Sequence, residues 1–396
     1  MIWSHVGFLL IGVVNTMLGP LLPLLSARWA LDDSQAGSLF LAQPVGAILG
    51  SMLSGSLIKR FGFTLPLTCG FGVMSISTAC LGLGAWGVGV ASIFGSGLAL
   101  GLTIPTINLL ISEINPQRRA AALNILNLVW GIGAVAGPVL LSTLSRASGL
   151  TGALLFLAVS AVMIAILLAR CPAMASQAAP ADEAALPPSL ARLWHGTYPL
   201  LAGALVFVDI GTESATGGWI ASYVQRLAPS SYFSWALAPS LFWAGLLVGR
   251  AAAPLILQHL HETKMVLAGM FVTLGGLLII LLNAEPAPVL IGAGLTGLGL
   301  APIFPTTVAL FTQRFGAESP HATSVLFILA GLGAAVFPWI VGLASSRFSE
   351  LRIGLVVPLI GALVMIPLQL ATMSVMASDE GQKVARNFNR DDDEET

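Results

Sequence analysis

The amino-acid sequence predicts an all-α membrane protein with twelve transmembrane helices arranged in two six-helix halves. Three observations lead to this fold class: the composition, the number and length of the apolar segments, and an internal repeat. Of the 396 residues, 56% are hydrophobic and 9% are charged, and the mean hydropathy is +0.90. A soluble domain carries about 25% charged residues, so the composition is typical of an integral membrane protein.

The apolar segments are each about 20 residues long, the length at which a helix crosses a bilayer. The first segment begins near Met1 and is longer than the apolar core of a signal peptide. We predict twelve spans, numbered 1 to 12 in chain order, with ends defined to about four residues. They are 5–27, 36–57, 64–84, 88–113, 119–143, 149–169, 197–226, 233–257, 263–283, 287–312, 320–343 and 351–374.

The loop charges predict that both termini are cytoplasmic, because Lys and Arg are retained on that side of a membrane. With this orientation, eleven basic residues fall in cytoplasmic segments and five in outer loops. The cytoplasmic set is Lys59, Arg60, Arg118, Arg119, Arg170, Arg192, Lys264, Arg314, Lys383, Arg386 and Arg390. We therefore expect a multi-pass protein of the bacterial inner membrane or the plasma membrane, in contact with lipid.

The two halves repeat each other at an offset of 200 residues. Nine positions match in this register, including Gly97/Gly297, Pro105/Pro305, Gly131/Gly331, Gly133/Gly333 and Pro138/Pro338. Gly, Pro and Ala can recur by chance in apolar helices, but nine matches in one register favour a duplication. Parallel six-helix repeats joined by a cytoplasmic linker are the plan of the major facilitator fold, in which substrate binds between the halves.

The repeat divides the chain into four parts. We predict an N-terminal six-helix bundle at 1–172, a cytoplasmic linker at 173–194 and a C-terminal six-helix bundle at 195–376. The remaining 377–396 is predicted to be a disordered acidic tail, because it ends in the charged run "RDDDEET".

Span 7 carries two carboxylates in the middle of an apolar segment. Asp209 and Glu213 lie four residues apart and so share one helix face, and charges at this depth are costly. Trp219 and Tyr223 follow a glycine pair, and their rings suit the apolar face of a sugar. We interpret this segment as a binding and coupling site; the alternative is a helix that lines a wet cavity for structural reasons.

Other polar residues in the spans extend this hypothesis. Arg250 in span 8 either pairs with a carboxylate across the interior or anchors the end of its helix. Glu113, at the end of span 4, is either a coupling acid or an interfacial group paired with nearby arginines. Buried amides suited to hydroxyl groups, or to bridging helices, are Asn15, Gln43, Asn108, Asn124 and Asn127.

The motifs "GTESATGGWIASY", "FWAGLLVGR" and "GLGLAPIFPTTVAL" resemble the fucose–proton symporter family of the major facilitator superfamily. The resemblance is nearest the branch of sodium-dependent glucose transporter-like proteins, and it covers essentially the whole chain. It implies a monomeric sugar transporter in which Glu213 is a coupling or sugar-binding acid. The loop "GSLIKRFG" resembles the gating loop of the superfamily, which assigns gating roles to Lys59 and Arg60, with Arg250 as a third gating residue.

The chain departs from the family at one position. Fucose transporters of the family use an aspartate in span 1, and the corresponding residue here is Gly19. This departure argues against fucose itself and moves the coupling role to Glu213, Asp209 or Glu113. The nearest branch of the family implies a hexose such as glucose as the substrate.

The leading hypothesis is a secondary active transporter that couples hexose uptake to a cation, H⁺ in preference to Na⁺. The alternative is a proton-coupled drug or metabolite exporter, because Gly133-x-x-x-Gly137-Pro138 resembles the antiporter motif of the superfamily. A transporter-like sensor is a third hypothesis, against which the mid-membrane acids argue. The sequence contains no nucleophile–base constellation, metal-ligand spacing or phosphate loop, so we expect no enzyme activity, cofactor, metal or nucleic-acid partner.

Overall fold

The computed structural model describes residues 2–170, 194, 196–229, 232–316 and 319–394, which form helices and short connecting turns. The helices of the first half are Ile2–Thr16, Leu18–Trp29, Asp33–Phe61, Thr64–Leu83, Trp86–Ile114 and Arg119–Ala169. Those of the second half are Thr197–Leu227, Tyr232–Ile256, Glu262–Leu282, Pro286–Leu300, Ile303–Phe315, Ser319–Phe348, Leu351–Gly354 and Val356–Glu394.

Within the described ranges, ten helices are long and apolar enough to cross a membrane, and the bent pair that forms span 1 makes an eleventh. The apolar helix Ala121–Ala169 has 49 residues, or about 70 Å at 1.5 Å per residue, which is twice the ~30 Å hydrocarbon core. It is interrupted at Gly149, where φ is 73° and ψ is 167°. Spans 5 and 6 therefore join at Gly149, and the predicted twelve-span fold is confirmed.

Span 2 begins at a capping box. The backbone N–H of Gln35 donates to the Asp32 carboxylate over 2.8 Å, and the backbone N–H of Asp32 donates to the Gln35 side chain over 3.1 Å. This reciprocal pair satisfies two backbone donors that a helix start leaves free. It fixes the first turn of span 2 and with it the position of Asp33.

Glycines of the internal repeat pack equivalent helices in the two halves. A methyl group added at Gly97 in span 4 would lie 2.0 Å from the backbone oxygen of Gln43 in span 2. A methyl group added at Gly297 in span 10 would lie 2.0 Å from the backbone oxygen of Phe242 in span 8. Both contacts need glycine, and both join the second and fourth helices of a half. The pairs Gly46/Gly245 and Gly133/Gly333 also make close backbone contacts at matching places.

Two further predictions concern the linker between the halves and the C-terminal tail. The linker 173–194 lies outside the described residues except for Trp194. The structure continues the last helix through Glu394, where the sequence predicted a disordered tail from 377. The part of this helix that is apolar enough to cross a membrane ends at Ser378.

Candidate functional site

One end of the bundle is closed by polar contacts between the halves. At the start of span 2, the Asp33 carboxylate accepts hydrogen bonds from both terminal nitrogens of Arg226, which ends span 7; one of them measures 2.9 Å. Ser345, near the end of span 11, donates to the same carboxylate over 2.5 Å. The Ser34 backbone N–H donates to Ser346 over 2.7 Å. Asp33, Arg226 and Ser345 are called the latch below.

Tight backbone packing accompanies the latch. A methyl group added at Gly342 in span 11 would lie 2.3 Å from the backbone oxygen of Asp33. A methyl group added at Gly19 in span 1 would lie 2.5 Å from the backbone oxygen of Gly217 in span 7. Gly19 is the position that the sequence resemblance aligns with the aspartate of fucose transporters. In this chain the position is a contact between the halves that has no room for a side chain.

Trp219 also packs in the closed contact between the halves. Its side chain is fully buried, its indole N–H donates to the backbone oxygen of Pro338 over 2.9 Å, and its ring lies 6.2 Å from that of Phe40. Tyr223, one turn further on, is 4% exposed, and its hydroxyl lies 3.5 Å from the backbone oxygen of Asn283. In this conformation, both predicted stacking residues are therefore packed away from the cavity described next. Span 7 also runs as one continuous helix through the glycine pair.

A cavity of about 360 Å³ lies between span 5 and span 8, one helix from each half. It occupies the opposite end of the bundle from the latch, because Asn124 lies near the start of span 5 and Arg250 near the end of span 8. Its polar lining consists of Asn124, Asn127, Trp130, Trp243 and Arg250, and the rest is apolar. This space is called the central cavity below.

Arg250 connects the central cavity to span 7. Its terminal nitrogen Nη2 lies 3.8 Å from Oε2 of Glu213, a separation that allows an ion pair but is too long for a hydrogen bond. The Glu213 side chain is 13% exposed and that of Arg250 is 36% exposed. The structure thus brings together the acid and the base that the sequence placed in different helices.

Asp209 lies one turn before Glu213 and is 1% exposed. Among the described residues, neither of its carboxylate oxygens has a hydrogen-bond partner. Burying a polar group without a partner costs free energy, and burying an unpaired charge costs more. The two carboxyl groups therefore have different surroundings, one sealed and one facing an arginine.

The remaining predicted residues are spread over the first half. Asn124 and Asn127 line the central cavity, with both side chains exposed. Asn108 is half-buried and its amide donates to the backbone oxygen of Ile104 over 2.8 Å, within its own helix. Outside the cavity lining lie Asn15 and Gln43, which are half-buried, Glu113, which is half-buried at the end of span 4, and Lys59 and Arg60, which are exposed at the end of span 2.

Sequence reasoning missed two tryptophans of the central cavity. Trp130 and Trp243 come from different halves, and their rings meet edge to face with centroids 5.9 Å apart. Such pairs are favourable for aromatic rings. Trp130 continues the helical stripe begun by Asn124 and Asn127, so extending that stripe by one turn would have identified it. No local signal marks the latch, because Asp33 and Arg226 resemble ordinary loop charges and Ser345 an ordinary helix-end serine.

Among the described residues, no cluster of three or more His, Cys, Asp or Glu side chains is placed to hold a metal ion. The site consists instead of amides, indoles and one acid–base pair. Such groups can bind a small polar solute and a proton.

The sequence profile of the Major Facilitator Superfamily matches residues 5–284. The 4-hydroxybenzoate transporter PcaK of Pseudomonas aeruginosa is 29% identical over 114 residues, which are 27% of this chain and 24% of that protein. An uncharacterised MFS-type transporter of Yersinia pestis is 22% identical over 303 residues, 76% of this chain and 77% of the relative. The chain thus matches about a quarter of the length of the first of these relatives.

Solved structures share the fold. A bacterial homologue of the human lysosomal transporter Spinster, in an inward-facing and unoccupied conformation, superposes with a TM-score of 0.79 at 13% identity, over 96% of this chain and 97% of that one. The nucleoside transporter NupG superposes with a TM-score of 0.73 at 15% identity, over 95% and 97%.

Proposed function

The chain belongs to the Major Facilitator Superfamily, and we propose that it is a secondary transporter that carries a hexose such as glucose together with H⁺. The central cavity is the observation that supports this proposal. It lies between the two halves, is lined by amides and aromatic rings, and faces away from a closed end. A solute bound there would be passed to the other side when the halves rock about it.

In this proposal the amides and the rings bind the solute. Asn124 and Asn127 line the cavity with exposed amides, whose donors and acceptors can meet sugar hydroxyls. Trp130 and Trp243 offer apolar ring faces in the present conformation. Trp219 and Tyr223 would take a stacking role only after the latch end opens. Asn15, Gln43 and Asn108 would act in the same state or as bridges between helices.

Glu213 is the proposed coupling acid. Its carboxylate is the partner of Arg250, so a proton taken up by Glu213 removes the charge that holds the pair together. That change alters the contact between span 7 and span 8, and span 8 lines the central cavity. Asp209, sealed one turn away, is proposed to hold a second proton, and Glu113 is proposed as an acid at the mouth of the path. H⁺ needs one such carboxyl group, whereas Na⁺ needs several oxygen ligands.

The loop charges support an orientation in which the central cavity faces the cytoplasm and the latch faces outward. Both termini are then cytoplasmic, and the present conformation is the one that releases an imported solute. Lys59 and Arg60 sit at the cytoplasmic end in this orientation, where they are proposed to gate the opposite state. The protein is proposed to act as a monomer.

The alternative is proton-coupled export of a drug or metabolite. Its sequence argument is the glycine motif that contains Gly133. A methyl group added at Gly133 would lie 2.1 Å from the backbone oxygen of Leu9. Close packing of spans 1 and 5 therefore accounts for this glycine whichever way the solute moves.

Glucose counterflow in proteoliposomes tests the site. We expect the wild type to exchange radiolabelled glucose for unlabelled glucose, and Asn124→Ala to exchange it about tenfold more slowly, as lost hydrogen bonds to the solute predict. Asn115→Ala is the matched control, because the Asn115 amide bonds the backbone of its own helix end at Ile111. Absence of glucose exchange by the wild type would refute the hexose proposal.

A further inference from the structure

The guanidinium group of Arg250 has no hydrogen-bond acceptor in the described chain. Its Nε is buried without a partner, and its contact to Glu213 is 3.8 Å. A guanidinium presents five N–H donors in a planar fork that matches a carboxylate. Arg250 therefore faces the central cavity with its donors unused.

Three other arginines of the bundle have hydrogen-bond acceptors. Arg28 donates to the backbone oxygen of Gly82 over 2.6 Å. Arg352 donates from Nε to the backbone oxygen of Leu281, also over 2.6 Å. Arg226 is held by the latch. Arg250 differs from these three arginines, because its Nε is buried beside the cavity without an acceptor.

The other polar groups of the cavity lining include hydrogen-bond donors but no negative charge. Indole N–H groups come from Trp130 and Trp243, and amide groups come from Asn124 and Asn127. No carboxylate is among the residues that line the cavity within the described chain. A neutral sugar would leave the ion pair with Glu213 at 3.8 Å as the only charged contact of Arg250 among the described residues, and its buried Nε would still lack an acceptor, which is costly.

We propose that the solute of the central cavity is a sugar acid: a hexose-like ring whose carboxylate binds the guanidinium of Arg250. This inference rests on the proposed transport function and refines its substrate class. The hydroxyl groups meet Asn124 and Asn127, and the carboxylate replaces Glu213 as the closer partner of Arg250. The bidentate geometry of the pair makes Arg250 a specificity-determining residue.

Glucose and glucuronate provide a matched test, because they differ only in the carboxylate at C6. Their affinities for the purified wild type are measured by quenching of tryptophan fluorescence, to which the cavity rings contribute, and checked by calorimetry. We expect glucuronate to bind at least about tenfold more tightly than glucose, as an added charge-assisted contact predicts. Counterflow of each sugar is measured in parallel.

Substitutions at Arg250 test whether this residue causes the preference for glucuronate over glucose. Arg250→Gln should bring the two affinities to within about twofold, and Arg250→Lys should keep part of the preference because it retains the charge but loses the fork. Arg146→Gln, at an exposed position outside the cavity, should keep the wild-type ratio. The comparison of glucose with glucuronate on the wild-type protein tests the proposal even if an Arg250 variant fails to fold.

The outcomes separate this inference from the transport proposal. Equal or tighter binding of glucose, with glucose counterflow intact, would overturn the sugar-acid inference and leave hexose transport standing. Binding of neither sugar would overturn both. Binding of 4-hydroxybenzoate in preference to both sugars would also overturn both, and would indicate an aromatic acid as the solute.

Discussion

Asp33 and Arg226 are 193 residues apart in the sequence and form a two-hydrogen-bond ion pair across the closed end of the bundle. Asp33 starts span 2 in the first half and Arg226 ends span 7 in the second. Ser345 adds a third hydrogen bond to the same carboxylate. The pair therefore joins the two halves at the end opposite the central cavity, and its rupture must accompany opening of that end.

Loss of the latch charge should favour the open state. The reporter is a cysteine in place of Phe40, which is buried against Trp219, in a background in which Cys69, Cys80 and Cys171 are serine. Asp33→Asn should raise the rate of maleimide labelling roughly two- to fivefold, because Arg226 is 44% exposed and such a pair contributes at most about 1 kcal/mol. Reversing both charges, Asp33→Arg with Arg226→Asp, should restore most of the protection. An unchanged rate in Asp33→Asn would contradict the role of the latch.

Glycine at 342 should be needed for closure. A methyl group there would lie 2.3 Å from the backbone oxygen of Asp33, so Gly342→Ala holds spans 2 and 11 apart. The cysteine at position 40 should then be labelled faster than in the parent. Gly331→Ala in the same helix is the control, because its methyl group would come no closer than 3.8 Å to Ile48. Equal labelling of the two variants would show that the contact does not limit closure.

The repeated glycines should matter for stability. Gly297→Ala should lower the free energy of unfolding by about 1–3 kcal/mol, the usual cost of overpacking, since its methyl group would lie 2.0 Å from a backbone oxygen. Gly294→Ala, in the same helix, meets its nearest atom at 3.7 Å and should be neutral or slightly stabilising. Thermal unfolding in detergent compares them, and a Gly297→Ala variant as stable as the parent would be inconsistent with the packing described.

Asp209→Asn should leave the unfolding temperature unchanged or raise it. The carboxyl group is 1% exposed and has no partner in the described chain, so its replacement by a neutral amide of the same shape loses no contact. Asp33→Asn, which weakens a carboxylate with three hydrogen bonds, should lower the unfolding temperature. A large destabilisation by Asp209→Asn would mean that the carboxylate is engaged in a specific interaction.

The fold could be predicted from the sequence because its determinants are local or periodic. Apolar length gave the spans, and the glycine register gave the two halves. The break at Gly149 was also predictable, since spans 5 and 6 had to be separated there. The bend within span 1 at Met17 was not predicted, although Asn15 and Thr16 precede it and Pro20 follows it.

The site could be predicted only in part. Glu213 and Arg250 were identified because charges are rare inside spans, and the structure brings them together. The positions of Trp219 and Tyr223 depend on which end of the bundle is closed, and a single sequence is compatible with both states. The latch could not be predicted, because it joins two residues that look like loop charges and a serine from a third distant helix.

The most direct test of the account is uptake of radiolabelled glucose into proteoliposomes under an imposed inward H⁺ gradient, for the wild type and Glu213→Gln. We predict that the wild type accumulates glucose above equilibrium, and that Glu213→Gln loses accumulation while it keeps counterflow exchange. An inward Na⁺ gradient without a pH difference should drive glucose accumulation by neither protein. Accumulation by Glu213→Gln equal to that of the wild type would contradict the assignment of Glu213 as the coupling acid.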